Sequence, residues 1–220
     1  MARGSHIARR YRALLTVNQI ATTESTINDA FQGMCAELRK LLPYDRAGLT
    51  LYDAKHDSLR IESLYGQYEN SVFEVGGLLP RKHSHNGLTF DSQRLTRRRD
   101  LAREFQFPSE KRTLDEGYRS LCSVPLIYRK NSLGVVTIVG ARKNQFSVVH
   151  GQVLQELSNQ ITTAIAAIRR ICPIHLNTNL ICPKCLGAAG GRATVSKHRD
   201  HLSEWGKKGG RGKKLLSRRD

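Results

Sequence analysis

The sequence predicts an α+β fold, an antiparallel sheet with terminal helices packed on one face, plus a small zinc-ribbon-like module at the C-terminus. Two stretches of helical periodicity begin the chain and a third closes its apolar part, with four strand-like runs between them. Two Cys-Pro knuckles with metal-ligand spacing then follow. A chain of 220 residues holds one domain of about 150 residues and an appendage. The expected division is residues 1–170 for the large domain, 171–205 for the metal-binding module and 206–220 for a basic flexible tail.

Residues 7–20 place Tyr11, Leu14, Leu15 and Ile20 among arginines, which predicts a helix with a basic exposed face. A second helix starts around Ser25-Thr26 and carries Ile27, Phe31, Met34, Cys35, Leu38 and Leu41 on one side, with Pro43 closing it. Residues 47–52 read as a strand, 53–57 as a turn and 58–64 as the antiparallel mate, because Leu59 and Ile61 alternate with Arg60 and Glu62. Residues 66–118 lack a period and are broken by Gly76-Gly77, Pro80, Asn86-Gly87 and Pro108, so they read as a long polar insertion between strands. Residues 120–128 and 133–141 are two further strands, and Pro125 places the first at an edge or a bulge. The last helix is capped by Ser147 and repeats Val149, Val153, Leu154, Leu157, Ile161, Ile165 and Ile168 at threes and fours.

Certain phrases in this order resemble the GAF sensory domain over residues 8–170. They are Leu41-Leu42-Pro43-Tyr44-Asp45-Arg46-Ala47, Arg119-Ser120-Leu121-Cys122-Ser123-Val124-Pro125-Leu126, Leu133-Gly134-Val135-Val136-Thr137-Ile138, and Phe146-Ser147 opening the last helix. The resemblance implies a regulatory small-molecule pocket between the sheet and residues 66–118, with His83, His85, Asn86 and Arg119 as its ligand-binding residues. The competing reading of these four is a solvated loop. The cyclic-nucleotide pattern of the family is not visible, and no cysteine stands in a bilin-attaching context. The GAF-like free methionine sulfoxide reductases use several pocket cysteines. Cys35 and Cys122 read here as core thiols, so the expectation is a protein without catalytic residues.

The chain carries 36 Lys and Arg against 19 Asp and Glu, a formal charge of +17. An excess of this size points to polyanions, and for the large domain alone solubility is the simpler account. Three of the five cysteines cluster at the knuckles, which suits a reducing, cytoplasmic setting better than a disulfide framework. No apolar run of about 18 residues is present, so no membrane contact is expected.

Cys172-Pro173-Ile174-His175 and Cys182-Pro183-Lys184-Cys185 each present two ligands on one tight turn. Cys172, His175, Cys182 and Cys185 thus suit one zinc ion in a short ribbon hairpin, and the competing set is Cys182, Cys185, His198 and His201. Arg192, Lys197, Arg199, Lys207, Lys208, Arg211, Lys213 and Lys214 are the expected nucleic-acid contacts. Gly210-Arg211-Gly212-Lys213-Lys214 resembles an AT-hook core, with Gly212 where the hook has proline. The expected protein is a sensory regulator. Its large domain takes a small-molecule effector and pairs as a homodimer through the terminal helices, and its zinc-stabilised basic module contacts nucleic acid. A protein-interaction adaptor without nucleic-acid binding is the alternative, followed by a methionine sulfoxide reductase.

Overall fold

The computed structural model describes residues 2–66 and 71–169, with side chains in the first helix from residue 7 onward. Every zinc-ligand and nucleic-acid residue named above lies outside the described residues.

The chain opens with two helices, α1 (Ala2–Thr23) and α2 (Ile27–Arg39). The Thr26 side chain caps α2 by accepting the Asp29 N–H. This helix ends before Pro43 is reached, because Lys40 and Leu42 already bond back to Glu37 and Leu38 carbonyls. The hairpin β1 (Arg46–Asp53) and β2 (Ser58–Gly66) follows. Residues 71–118 hold five short elements: β3 (Leu78–Pro80), α3 (His85–Ser92), β4 (Thr96–Arg98), α4 (Leu101–Glu104) and α5 (Pro108–Asp115). A second hairpin, β5 (Ser120–Tyr128) and β6 (Asn131–Gly140), leads to the long helix α6 (Val148–Ile168). Its Ser147 cap accepts the His150 N–H.

Among the described residues the sheet has six strands in the order β3-β2-β1-β6-β5-β4, every neighbouring pair antiparallel. β4 reaches only from Leu121 to Ser123 of β5. Pro125 stands beyond it, where the sheet edge is open and a missing N–H costs nothing.

Alternation along β1 sorts the two faces. Ala47, Leu49 and Leu51 join Phe31, Met34 and Leu38 of α2 and Val153, Leu154, Leu157 and Ile161 of α6 in the main core. Each such buried side chain contributes about 1.5–3 kcal/mol. Arg46, Gly48, Thr50 and Tyr52 face the other way, under the short elements of residues 71–118. Leu59, Ile61, Leu79, Phe90 and Val135 form a smaller apolar cluster there. The terminal helices therefore occupy one face and leave the other for a site.

Candidate ligand-binding site

A hollow of about 70 Å³ lies on this second face. Its walls are apolar at Ile61, Leu64, Phe73, Leu79 and Val139, and polar at Arg46, Thr50, Asn86, Thr113 and Thr137. A buried water needs about 10–15 Å³ on this scale, so the hollow has room for a few heavy atoms. Apolar walls with a few convergent polar groups are the usual composition of a small-molecule site.

β1 and α3 meet through the polar groups. The Asn86 amide donates to Thr50 Oγ1 at 3.2 Å, and Thr50 donates to the Val135 carbonyl at 3.3 Å. Thr113 gives its proton to the Ser109 carbonyl, and Thr137 shares a hydrogen bond with Ser123. The Asn86 carbonyl oxygen is an acceptor suited to a ligand donor. Asn86 reaches the hollow because α3 starts at Ser84, whose hydroxyl accepts the Gly87 N–H at 3.0 Å and donates to the Pro80 carbonyl.

Arg46 is the charged wall, and its residue is 5% exposed. Its guanidinium lies between the rings of Tyr118 and Phe73, 4.7 and 5.4 Å from their centroids. One nitrogen donates to Ser71 Oγ at 2.7 Å, and another lies 2.7 Å from Glu116 Oε2. The other Glu116 oxygen accepts from the Ser71 hydroxyl and from the Val72 N–H, each at 2.8 Å. A buried cation in such a place persists only when paired and hydrogen-bonded; Glu116 supplies the counter-charge and Ser71 the hydrogen bond.

The four sequence-predicted ligand residues separate in space. Asn86 lines the hollow. His83 is exposed on the loop before α3. His85 is buried, but both ring nitrogens are taken: Nδ1 lies 2.8 Å from Glu110 Oε1 and Nε2 2.9 Å from Thr96 Oγ1. Burial lowers its pKa past the opposing pull of Glu110. The neutral ring therefore donates from Nδ1 and accepts at Nε2. Arg119 donates twice to Asp100 Oδ1, at 3.1 and 2.7 Å, and holds the start of α4 rather than a cavity wall. Arg46, Thr50, Glu116, Thr113 and Thr137 were not among the sequence-predicted ligand residues.

A second hollow, about 320 Å³, lies at the far end of the sheet between Tyr52, Arg81, Phe90, Asn131 and Arg169. Its Arg81 sits over the Tyr52 and Phe90 rings and is paired with both Asp57 and Asp91.

Cys35 and Cys122 are both buried in the main core, on the helix face of the sheet. Burial pushes the Cys122 thiol up to about 12 and raises Cys35 as well. Neither thiol lines the hollow, and neither is poised as a thiolate. Among the described residues no cluster of His, Cys, Asp or Glu is able to hold a metal, and no helix is long and apolar enough to cross a membrane.

Solved structures share this architecture. The GAF domain of a phosphoenolpyruvate-protein phosphotransferase from Coxiella burnetii is 18% identical with a TM-score of 0.64, over 74% of this chain and 95% of that one. The corresponding domain from Acinetobacter is 18% identical with a TM-score of 0.61, over 72% and 93%. A free methionine-R-sulfoxide reductase from Neisseria meningitidis, in complex with its substrate, is 17% identical with a TM-score of 0.62, over 73% and 90%. No curated protein sequence matches the chain. The family model for the GAF domain matches residues 24–166, and with the sheet and helices in the order described, the chain belongs to the GAF domain family.

Proposed function

We propose that this protein is a non-catalytic cytoplasmic regulator whose GAF domain takes a small effector in the hollow between β1, β2, β6 and α3. The observation that carries the reading is the set of polar groups, Arg46, Asn86, Thr50, Thr113 and Thr137, brought together over an apolar floor. The absence of any cysteine from the hollow's lining counts against a thiol-dependent reductase like the Neisseria relative. The exposed stripe Ile7, Tyr11 and Leu15 on α1 supports pairing of two copies through the terminal helices. The segment 171–220 serves as output: Cys172, His175, Cys182 and Cys185 hold zinc, and the cationic residues after them contact nucleic acid.

The test of the pocket is a thermal-shift panel of amino acids, short carboxylic acids and nucleosides on the full chain. A binder at a hundredfold its Kd stabilises by about 2.7 kcal/mol. Asn86→Leu, which leaves the core untouched and blocks the hollow, is expected to abolish that shift. A panel without a single hit, or a hit unaffected by Asn86→Leu, overturns the reading.

A further inference from the structure

We infer that the effector of this pocket is a short-chain monocarboxylate, and that its carboxylate replaces Glu116 on Arg46, unlatching residues 71–77 from the domain. The inference rests on the hollow being the ligand site, and it adds the ligand's charge and the consequence of binding.

Charge balance leads there. Among the described residues that line the hollow Arg46 is the one that carries a charge, so it is the natural seat for an anionic group. Glu116 already neutralises it. A second carboxylate placed against the same guanidinium, between two aromatic rings, would leave a buried anion without a counter-charge. Such an anion is strongly disfavoured. The balance is restored when Glu116 turns out to water. Its position allows this: it closes the C-terminal end of α5, its side chain is 12% exposed, and the next residue is Gly117 at φ 92°.

Glu116 holds more than Arg46. Its other oxygen is the acceptor for the Ser71 hydroxyl and the Val72 N–H, so its departure leaves this end of residues 71–77 on the single Arg46–Ser71 hydrogen bond. The other end stays anchored, because Gly76 N–H bonds the Ile61 carbonyl at 2.7 Å and Ile61 N–H bonds the Gly77 carbonyl at 2.8 Å. Gly76 has φ 90° and open space around it, which suits a pivot. Val72 and Val75 between these ends are 61% and 63% exposed, so the packing that holds the segment is concentrated at Phe73, against Arg46 and the apolar cluster. Phe73, which walls the hollow, moves with the segment and widens it.

The hollow also sets the ligand's size and valence. One guanidinium matches one carboxylate, and a phosphate dianion would need a second cation, which the described walls lack. The apolar floor of Ile61, Leu64, Leu79 and Val139 receives a short aliphatic tail.

Propionate and its neutral isostere propionamide are titrated by calorimetry into the full chain and into Glu116→Gln and Arg46→Gln. Propionate is expected to bind wild type at least roughly tenfold more tightly than propionamide. Glu116→Gln removes the competitor and is expected to tighten propionate roughly tenfold. Arg46→Gln is expected to lose it. Hydrogen exchange at Val72 and Phe73 is expected to quicken when propionate binds wild type, and to be quick already in Glu116→Gln. The opposite sign expected of the Glu116 variant guards against simple misfolding, which weakens binding in both variants. Equal affinity for acid and amide, or weaker propionate binding by Glu116→Gln, overturns the exchange and leaves the pocket standing. Silence from both probes also overturns it, and the wider panel then decides separately whether the pocket binds anything.

Discussion

At the scale of single residues, the buried polar groups on the second face divide into those that serve the hollow and those that serve the fold. Glu110 belongs to the fold: it is 1% exposed and accepts from Arg98 and from the backbone N–H groups of Gln106 and Phe107. Burial pushes its pKa up, but the His85 ring, the Gln106 N–H and the Arg98 charge outweigh this and hold it at about 2. His85 has the opposite problem, a pKa lowered by burial. Its contribution to stability is complete above its ordinary value of 6.5 and is lost as pH falls below that toward the folded pKa. The Glu110 contribution is complete above 4.5 and is lost as pH falls toward about 2. Urea midpoints of the wild type should therefore drop between pH 7 and pH 5. His85→Gln, which cannot take up a proton, should flatten that drop. Parallel curves for the two proteins would show that burial leaves the His85 titration unchanged on folding.

At the scale of elements, what the sequence made legible was whatever repeated long enough to show a period. α2, α6 and both hairpins have the predicted kind and nearly the predicted ends, because each runs long enough to bury one face. β3, α3, β4, α4 and α5 were read as one irregular stretch. None exceeds eight residues, and their starts are set by caps at Ser84 and Asp100 and by Pro108 at the first helical position after Phe107, which only make sense once the neighbours are in place. The pocket residues were harder still, because Thr50, Asn86 and Thr113 come from three elements far apart in the chain. Arg46 carried a signal that alternation could have used: Arg46, Gly48 and Thr50 are the polar phase of β1, and Ala47, Leu49 and Leu51 the apolar phase. His85 shows the opposite case, a polar residue in the right loop whose ring is wholly occupied by the protein.

The short helix α3 depends on one close approach. A Cβ on Gly87 would lie 1.6 Å from the Arg81 carbonyl oxygen, a backbone atom that cannot swing aside. Gly87→Ala must push α3 off the β3 end, and such overpacking costs about 1–3 kcal/mol. Because Asn86 precedes it directly, the same shift should draw the amide away from Thr50. The expected result is a lower denaturation midpoint together with weaker binding of any pocket ligand. Full ligand affinity in a destabilised Gly87→Ala protein would show that Asn86 is not positioned by this contact.

At the scale of the whole molecule, the positive charge is divided between two parts of different composition. In the GAF domain many arginines are committed to neighbours: Arg10 to Glu156, Arg46 to Glu116, Arg98 to Glu110, Arg119 to Asp100 and Arg169 to Glu62. Residues 172–220 carry 11 Lys and Arg against 3 Asp and Glu, so there most of the charge has no partner of its own in the sequence. Few apolar residues accompany it, and a structural zinc site contributes about 10–16 kcal/mol toward ordering a short segment. The expected stoichiometry is one zinc per chain by elemental analysis of the purified protein. Cys182→Ser should remove it under either ligand set. Cys172→Ser should remove it only if the first knuckle takes part, and His198→Ala only if the later histidines do. Duplex DNA affinity should fall with salt, and changing Lys207, Lys208, Arg211, Lys213 and Lys214 to Gln should flatten the log–log slope by up to about 4–5 units. A protein that purifies without zinc, and whose DNA affinity ignores both salt and these five changes, leaves the output to some other part of the chain.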